Sequence, residues 1–249
     1  MDVWSYLILG LVGLVAGFIN VMAGGGSLLT VPVMLFLGLP GPVANGTNRI
    51  AILAQNVTAV TAFFRKGYAN FRLSLTLSLC ALPGAIAGAY LGSRLSGVWF
   101  NRTLAVIMLG VMLLMTFGKK IDHAEAGSGT EPKNLLLGHV LMVLVGCYGG
   151  FIQVGVGFIV MAVLHRVMRL NLVVVNMHKV FIVMTYTVAA LVVFALRVPI
   201  MWLLGICLAV AYSLGAWLGV HLTISRGERL IKIILNSVLI VFIIKLLFF

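Results

Sequence analysis

Acidic residues are scarce in this 249-residue chain, which holds five Asp and Glu against 17 Lys and Arg. Charged residues make up 9% of the sequence and hydrophobic residues 62%, whereas about a quarter of the residues in a soluble domain are charged. This composition excludes a soluble globular protein. Many apolar stretches approach the roughly 20 residues that cross a bilayer, and they lack the alternation of barrel strands, so they predict an all-α, polytopic membrane protein.

Cysteine is also rare, and its spacing excludes two further classes. Cys80, Cys147 and Cys207 lie singly within apolar segments, so neither a disulfide framework nor a metal cluster is expected. We expect no cofactor. Residues 1–23 have no basic n-region, only Asp2, and the apolar pattern continues beyond them, so we expect no cleaved signal peptide.

The formal net charge of +12 would suggest nucleic acid as the partner of a soluble protein. Here the basic residues lie mostly in short connections between apolar segments, where they orient a protein in the membrane. The expected surroundings are therefore a lipid bilayer, and nucleic acid is not an expected partner.

The chain does contain an apolar helix interrupted by three consecutive glycines, Gly24, Gly25 and Gly26. Such a run strongly disfavours a continuous helix. About 130 residues later the pattern recurs, with matched pairs Gly13/Gly146, Gly17/Gly150, Phe18/Phe151, Ile19/Ile152, Asn20/Gln153 and Gly24/Gly157. A broken apolar helix that occurs twice is typical of transporters.

The two copies divide the chain into a first membrane repeat, residues 1–118, a polar linker, 119–134, and a second membrane repeat, 135–249. Each repeat is predicted to be a glycine-broken helix or hairpin followed by three transmembrane helices. In the first repeat the predicted helices are 4–23, 27–39, 43–64, 73–95 and 98–117. In the second they are 135–156 with a break near Gly155 and Gly157, a short helix to 170, then 172–196, 199–223 and 230–249. Whether the two short helices span or re-enter is left open.

Glycines recur every four residues at Gly84, Gly88 and Gly92, which allows close helix packing. The segment that contains them, GAYLGSRLS at 88–96, also matches GAWLGVHLT at 215–223 in the second repeat. The repeat therefore extends beyond the broken helices.

The number of membrane spans in each repeat, odd or even, predicts how the two repeats are oriented relative to each other. If each broken segment is a hairpin, the three following spans leave the two repeats inverted. In that arrangement eleven of the 17 basic residues face the cytoplasm, four face outward and two lie in the membrane. The asymmetry favours inverted repeats with both termini in the periplasm.

The two basic residues within spans are Arg49 and Lys179, which are equivalent by the repeat. Polar side chains lie near each at helical spacing, including Asn45 before the first and Asn176 before the second. An ionisable residue inside a span is costly and by default marks a functional path. The candidate substrate-binding residues are Arg49, Lys179, Asn48, His178, Asn20, Gln153, Gly24, Gly25, Gly26, Gly155, Gly157, Gln55, Asn56, Thr185 and Tyr186. The alternative is that both basic side chains snorkel to a membrane interface.

No Asp or Glu lies in the predicted spans to neutralise these cations. Two buried positive charges, together with backbone N–H groups at the breaks, favour an anion. We therefore expect a small anion held by Arg49 and Lys179, with hydrogen bonds from nearby amides and His178. Proton coupling would fall on His178, while sodium coupling and uncoupled flux stay open.

The opening GLVAGFINVMAGGGSLLTVPVMLFLGLP, the following NGTNRIAILAQN and the segment PGAIAGAYLGSRL resemble the TauE/SafE family of membrane transporters. The resemblance covers the chain outside 119–134, although Gly155-Val156-Gly157 replaces the triple glycine in the second copy. It implies a bacterial inner-membrane carrier of sulfur-containing anions such as sulfite or organosulfonates.

A secondary transporter, working by alternating access of its two repeats, is therefore the preferred function. An anion channel could use the same basic residues and remains an alternative. A membrane-embedded enzyme is the third, but the chain has no Cys and His at ligand spacing and no intramembrane acid, so enzyme activity is not expected. A homo-oligomer is left open.

Overall fold

The structure is a computed structural model that describes residues 3–68, 71–95, 97–117 and 132–248. Every regular element in these segments is a helix, which confirms the all-α prediction. The helices are α1 Val3–Met22, α2 Ser27–Phe36, α3 Gly41–Arg65, α4 Phe71–Ser93, α5 Gly97–Phe117, α6 Leu135–Phe151, α7 Val156–Ala162, α8 Leu172–Arg197 and α9 Trp202–Phe248. A π-helical turn, Val163–Val167, continues α7.

Within the described residues, four helical segments are long and apolar enough to cross a membrane: Trp4–Met22, Phe71–Ser93, Leu172–Arg197 and Trp202–Ser225. Large apolar side chains such as Leu11, Leu136 and Leu196 are exposed on the outside of the bundle. Contact with lipid imposes no cost on apolar side chains, so this outward exposure fits a protein that lies in a bilayer. The chain is a multi-pass membrane protein.

Local sequence signals account for several helix ends. Pro42 follows the start of α3, where its missing N–H is harmless. The side chain of Asn171 caps α8 by accepting a 2.9 Å hydrogen bond from the Val174 N–H. Gly67, just beyond α3, has a φ of +85°, a conformation that glycine adopts without steric cost.

The prediction was wrong about two helix boundaries. In the second repeat the helix ends at Phe151 and the break occupies residues 152–155, because Gln153 and Gly155 take left-handed φ values of 58° and 71°. The described parts of the predicted spans 199–223 and 230–249 lie, from Trp202 to Phe248, in one helix of 47 residues. The connecting sequence ISRGERLIK has no proline, and its single glycine costs a helix only about 1 kcal/mol.

Helix packing interleaves the two repeats. Helix α1 runs parallel to α9, because Gly13 lies beside Leu208 and Val21 lies beside Gly219. Helix α3 also runs parallel to α9, because Met201 N–H donates a 3.2 Å hydrogen bond to Thr47 and Ile50 lies beside Gly205. Helices α6 and α8 run parallel to α4 in the same way. Helices α3 and α8 cross the centre in opposite directions, because the start of α3 lies beside the end of α8.

The glycine contacts are equivalent in the two repeats. A Cβ at Gly88 would overlap the backbone of Cys147 and Phe151 on α6, and a Cβ at Gly215 would overlap the backbone of Leu14 and Phe18 on α1. These four partners are the pairs that the repeat relates. The first helix of each repeat therefore packs against the fourth helix of the other, and glycine permits the approach.

The directions of α1 and α3 also determine the direction of the short helix α2. Since α1 and α3 run the same way, the ten-residue α2 between them must return, and at about 15 Å it is too short to span. The inverted relation of the repeats stays a prediction, which the opposed directions of α3 and α8 support. The domain boundaries also stay a prediction, and residues 119–131 of the predicted linker lie outside the described residues.

Close packing of α1 on α9 gives a stability prediction. Replacing Gly17 by Ala places a methyl group against the Tyr212 backbone, 2.7 Å from its Cα, and overpacking of this kind costs about 1–3 kcal/mol. We expect Gly17→Ala to lower the thermal unfolding midpoint in detergent by several degrees, about 2–4 °C per kcal/mol. Gly10→Ala on the same helix is the control, because nothing lies within 4 Å of the added carbon; an equal loss in both variants would contradict the prediction.

Inverted repeats predict opposite sides for the N-terminus and the linker, because a returning hairpin and three spans separate them. A reporter fused at the N-terminus should be active in the periplasm, while a reporter inserted in linker 119–134 should be active in the cytoplasm. Paired fusions to alkaline phosphatase and to a fluorescent protein measure the two sides. An N-terminus and a linker on the same side of the membrane would rule out the inverted arrangement.

Candidate functional site

The two helix breaks touch at the centre of the bundle. A Cβ at Gly24 would lie 2.8 Å from the Phe158 nitrogen and would overlap Gly157, and a Cβ at Gly157 would in turn lie 2.7 Å from the Gly24 oxygen. Gly24 also has a φ of +90°. Both positions therefore need glycine, one for conformation and both for contact.

The first break is held by the Asn20 side chain. Its Oδ1 accepts a hydrogen bond of 3.2 Å from the Gly26 N–H. Its Nδ2 donates to Gln55 Oε1 on α3 at 2.9 Å. Asn20 thereby links the end of α1, the turn into α2 and the middle of α3.

Arg49 caps the end of α6, the broken helix of the other repeat. Its guanidinium donates to the carbonyl oxygens of Gly149, at 3.2 Å, and Gly150, and lies 4.6 Å from the ring centroid of Phe194. The two neighbouring carbonyls of that last turn are also satisfied, Tyr148 by the Ile152 N–H and Phe151 by Asn45. A cation at a helix C-terminus is favoured by the helix dipole.

Lys179 does the same at the end of α1. Its ammonium donates to the oxygen of Val21 at 2.7 Å and of Asn20 at 3.2 Å, and to Asn176 Oδ1 at 2.8 Å. Lys179 is 2% exposed and Arg49 is 0% exposed. The snorkelling alternative is therefore wrong, because both charges end in the interior.

A polar cleft lies beside the contact between the breaks. Its empty volume is about 280 Å³, including any space that is open to solvent. The lining residues are Asn20, Ser27, Ile52, Gln55, Asn56, Gln153, Val156, Gly157, Lys179 and Val183. They come from both repeats, and Lys179 is the one charged residue among them.

The structure brings together part of the predicted site. Asn20, Gln55, Asn56, Gln153, Gly157 and Lys179 line the cleft. Gly24, Gly25, Gly26 and Gly155 form the breaks beside it. Arg49 lies behind this surface, at the end of α6.

Four further predicted residues, Asn48, Thr185, His178 and Tyr186, do not line the cleft. Asn48 accepts a 2.9 Å hydrogen bond from Thr30, and Thr185 donates to the Phe181 oxygen on its own helix. His178 Nδ1 lies 2.7 Å from Ser74 Oγ. Tyr186 is fully buried against Gly149.

The prediction from the sequence did not include four other residues of the cleft. Ser27, Ile52, Val156 and Val183 line it. Ser27 follows the triple glycine directly, which was a usable signal, but the three aliphatic residues look like any other apolar position. Gln153 Nε2 donates to Thr187 Oγ1 at 3.0 Å, a partner that no spacing indicated.

Several buried polar atoms near the cleft have no hydrogen-bond partner among the described residues. They are Arg49 Nε, Gln153 Oε1, Asn176 Nδ2 and Tyr186 Oη. Such atoms are rare in folded proteins and cluster where a ligand or water binds. Within the described segments no three His, Cys, Asp or Glu residues lie close enough to hold a metal ion.

Comparison with known proteins agrees with this architecture. The chain is 28% identical to "Probable membrane transporter protein ORF9" of Sinorhizobium sp over 94% of this chain and 88% of that protein. It is 29% identical to a "Probable membrane transporter protein" of Haemophilus influenzae over 90% and 88%. It is 26% identical to "Probable membrane transporter protein YfcA" of Escherichia coli K12 over 92% and 85%. No solved structure matches.

The family comparison covers nearly the whole chain. Residues 9–246 match the profile described as "Sulfite exporter TauE/SafE", which includes both broken helices and all the residues of the cleft. The protein is a membrane transporter that belongs to the TauE/SafE family.

Proposed function

We propose that the protein is a secondary transporter for a small sulfur-containing anion, such as sulfite or an organosulfonate, in the bacterial inner membrane. The observation that carries the proposal is the cleft between the two breaks, which holds the Lys179 charge and four amide side chains without a carboxylate in its lining. A buried cation among neutral hydrogen-bonding groups favours an anion. The family description, which names sulfite, supports the substrate class.

The hydrogen-bonding groups of the cleft are suited to a small oxyanion. The three N–H groups of Lys179 already meet three oxygens, so its charge attracts the anion while amides supply direct contacts. Gln55 accepts from Asn20 through Oε1, which leaves its own N–H groups to donate. Charge-assisted hydrogen bonds from amides to an oxyanion are stronger than neutral ones.

The packing of the two breaks supports alternating access. The two breaks meet through Gly24 and Gly157 without side chains between them, so the repeats can shift against each other at that point. Five of the six polar residues in the cleft lining, Ser27, Gln55, Asn56, Gln153 and Lys179, are at most 2% exposed, while Asn20 is half-buried. This burial supports an occluded state. A closed cleft favours a carrier over an open channel.

Removal of the cleft charge tests the anion site. Lys179→Gln should weaken anion binding to purified protein by about ten- to a hundredfold, because interactions with a charged group contribute about 1.5–3 kcal/mol. Calorimetric titration with sulfite, sulfoacetate, taurine, thiosulfate, sulfate and simple carboxylates measures the change and identifies the preferred anion.

Lys66→Gln is the matched control, since it removes the same charge from an exposed position at the end of α3. It should bind as the unmodified protein does. Equal affinity in Lys179→Gln and the unmodified protein would overturn the assignment of the cleft as the anion site.

Arg49 gives a separate transport prediction. Arg49→Gln leaves the Gly149 and Gly150 carbonyls without their cation, and each unsatisfied buried carbonyl costs about 1–3 kcal/mol. We expect the protein to fold but its anion uptake in reconstituted vesicles to fall at least about tenfold. Arg65→Gln, which changes an exposed residue of the same helix, should transport normally; unchanged uptake in Arg49→Gln would exclude a role for that residue.

A further inference from the structure

The ammonium group of Lys179 has the surroundings of a bound metal cation. Three neutral oxygens lie 2.7, 2.8 and 3.2 Å from Nζ, from Val21, Asn176 and Asn20 in that order. The sulfur of Met161 lies 3.7 Å away. Among the described residues no carboxylate contacts Nζ, so the charge is stabilised by neutral dipoles.

This set of ligands is the one that transporters use for alkali cations. Hard cations select oxygen ligands, and carbonyls at the C-terminal ends of interrupted helices coordinate coupling ions near the membrane midplane. Two of the three oxygens here are such carbonyls, at the end of α1. The third is an amide oxygen from α8, the helix that carries Lys179.

Asn176 provides an independent sign that this is a cation site. Its Oδ1 points to the ammonium while its Nδ2 is buried without a partner. A buried amide that gives up its donor normally costs free energy. The orientation is therefore set by the need for an oxygen beside the cation.

We propose that the Lys179 ammonium is a built-in replacement for a bound alkali cation between α1 and α8, and that removing it opens a site for such an ion. It follows that the carrier needs no sodium ion. The last statement rests on the proposed transport function, whereas the cation site does not.

Arg49 offers a matched comparison. It too caps a broken helix, but it contacts two carbonyl oxygens, those of Gly149 and Gly150. Asn45 presents its Nδ2 to that helix end, by donating to the Phe151 oxygen. With two oxygens in place of three, an emptied Arg49 position should not bind an alkali ion.

The test measures thermal unfolding of purified protein in detergent with lithium, sodium, potassium or choline chloride at equal ionic strength. The unmodified protein should have one midpoint in all four salts. Lys179→Met fills the space of the aliphatic stem and vacates the Nζ position. Its midpoint should be lower in choline and should rise saturably by several degrees with at least one alkali ion, as binding to the folded state requires.

Two further variants exclude a general salt effect. Arg49→Met should show no difference among the salts. The double variant Lys179→Met with Asn176→Ala, which loses one oxygen ligand, should lose most of the alkali-dependent rise. An equal rise in Arg49→Met, or no rise in Lys179→Met, would overturn the proposal.

Should Lys179→Met fail to fold, a binding measurement on the unmodified protein still tests the proposal. Its affinity for sulfite should be the same in sodium chloride and in choline chloride, and a tenfold dependence on sodium would contradict the built-in cation. The unfolding measurement uses no substrate. Protein that binds none of the tested anions but shows the alkali shift in Lys179→Met would refute the transport proposal alone.

Discussion

The structure depends on how two helices can end inside an apolar interior. Helix α1 ends at Met22 and α6 at Phe151, and the last carbonyls of each have no intrahelical donor. Water cannot serve them all in a closed bundle, so donors must come from the protein. Each end receives a cation from the other repeat, Lys179 at α1 and Arg49 at α6. Two of the basic residues that have no acidic partner, Arg49 and Lys179, therefore have a structural role as caps of helix ends.

This exchange makes the repeats mutually dependent. Helix α1 packs along α9 and helix α6 packs along α4. Each broken helix therefore packs against the other repeat, which also supplies the cation that caps its end. Neither repeat could bury its broken end alone without leaving carbonyls unsatisfied at about 1–3 kcal/mol each. The same contacts connect the two breaks directly through Gly24 and Gly157. A movement of one repeat must therefore alter the hydrogen bonds at the end of the other, which is the coupling that alternating access requires.

The sequence predicted the helices well because lipid makes hydrophobic length and glycine interruption dominant signals. It also related Arg49 to Lys179 through the repeat, and each of these residues contacts the carbonyl end of the other repeat's broken helix. It failed where a boundary depends on tertiary context. Helix α6, the broken helix of the second repeat, ends about one turn before the position that Gly155 and Gly157 indicate. The cause is Gln153, which adopts a left-handed φ that its residue type rarely takes. It also could not show that the cations meet carbonyls, because backbone partners leave no trace in residue type.

The two breaks are equivalent by repeat and different in chemistry. The first uses three glycines, so its turn costs no strain. The second holds Gln153 at a φ of 58°, and a non-glycine residue in that conformation costs on the order of 1–3 kcal/mol and persists where the surroundings fix it. The caps differ in the same sense. The guanidinium of Arg49 holds two carbonyls and lies outside the cleft lining, while the ammonium of Lys179 holds the glycine-rich break and lines the cleft. The two caps therefore differ in position as well as in chemistry, because Lys179 lies at the cleft and Arg49 lies behind it.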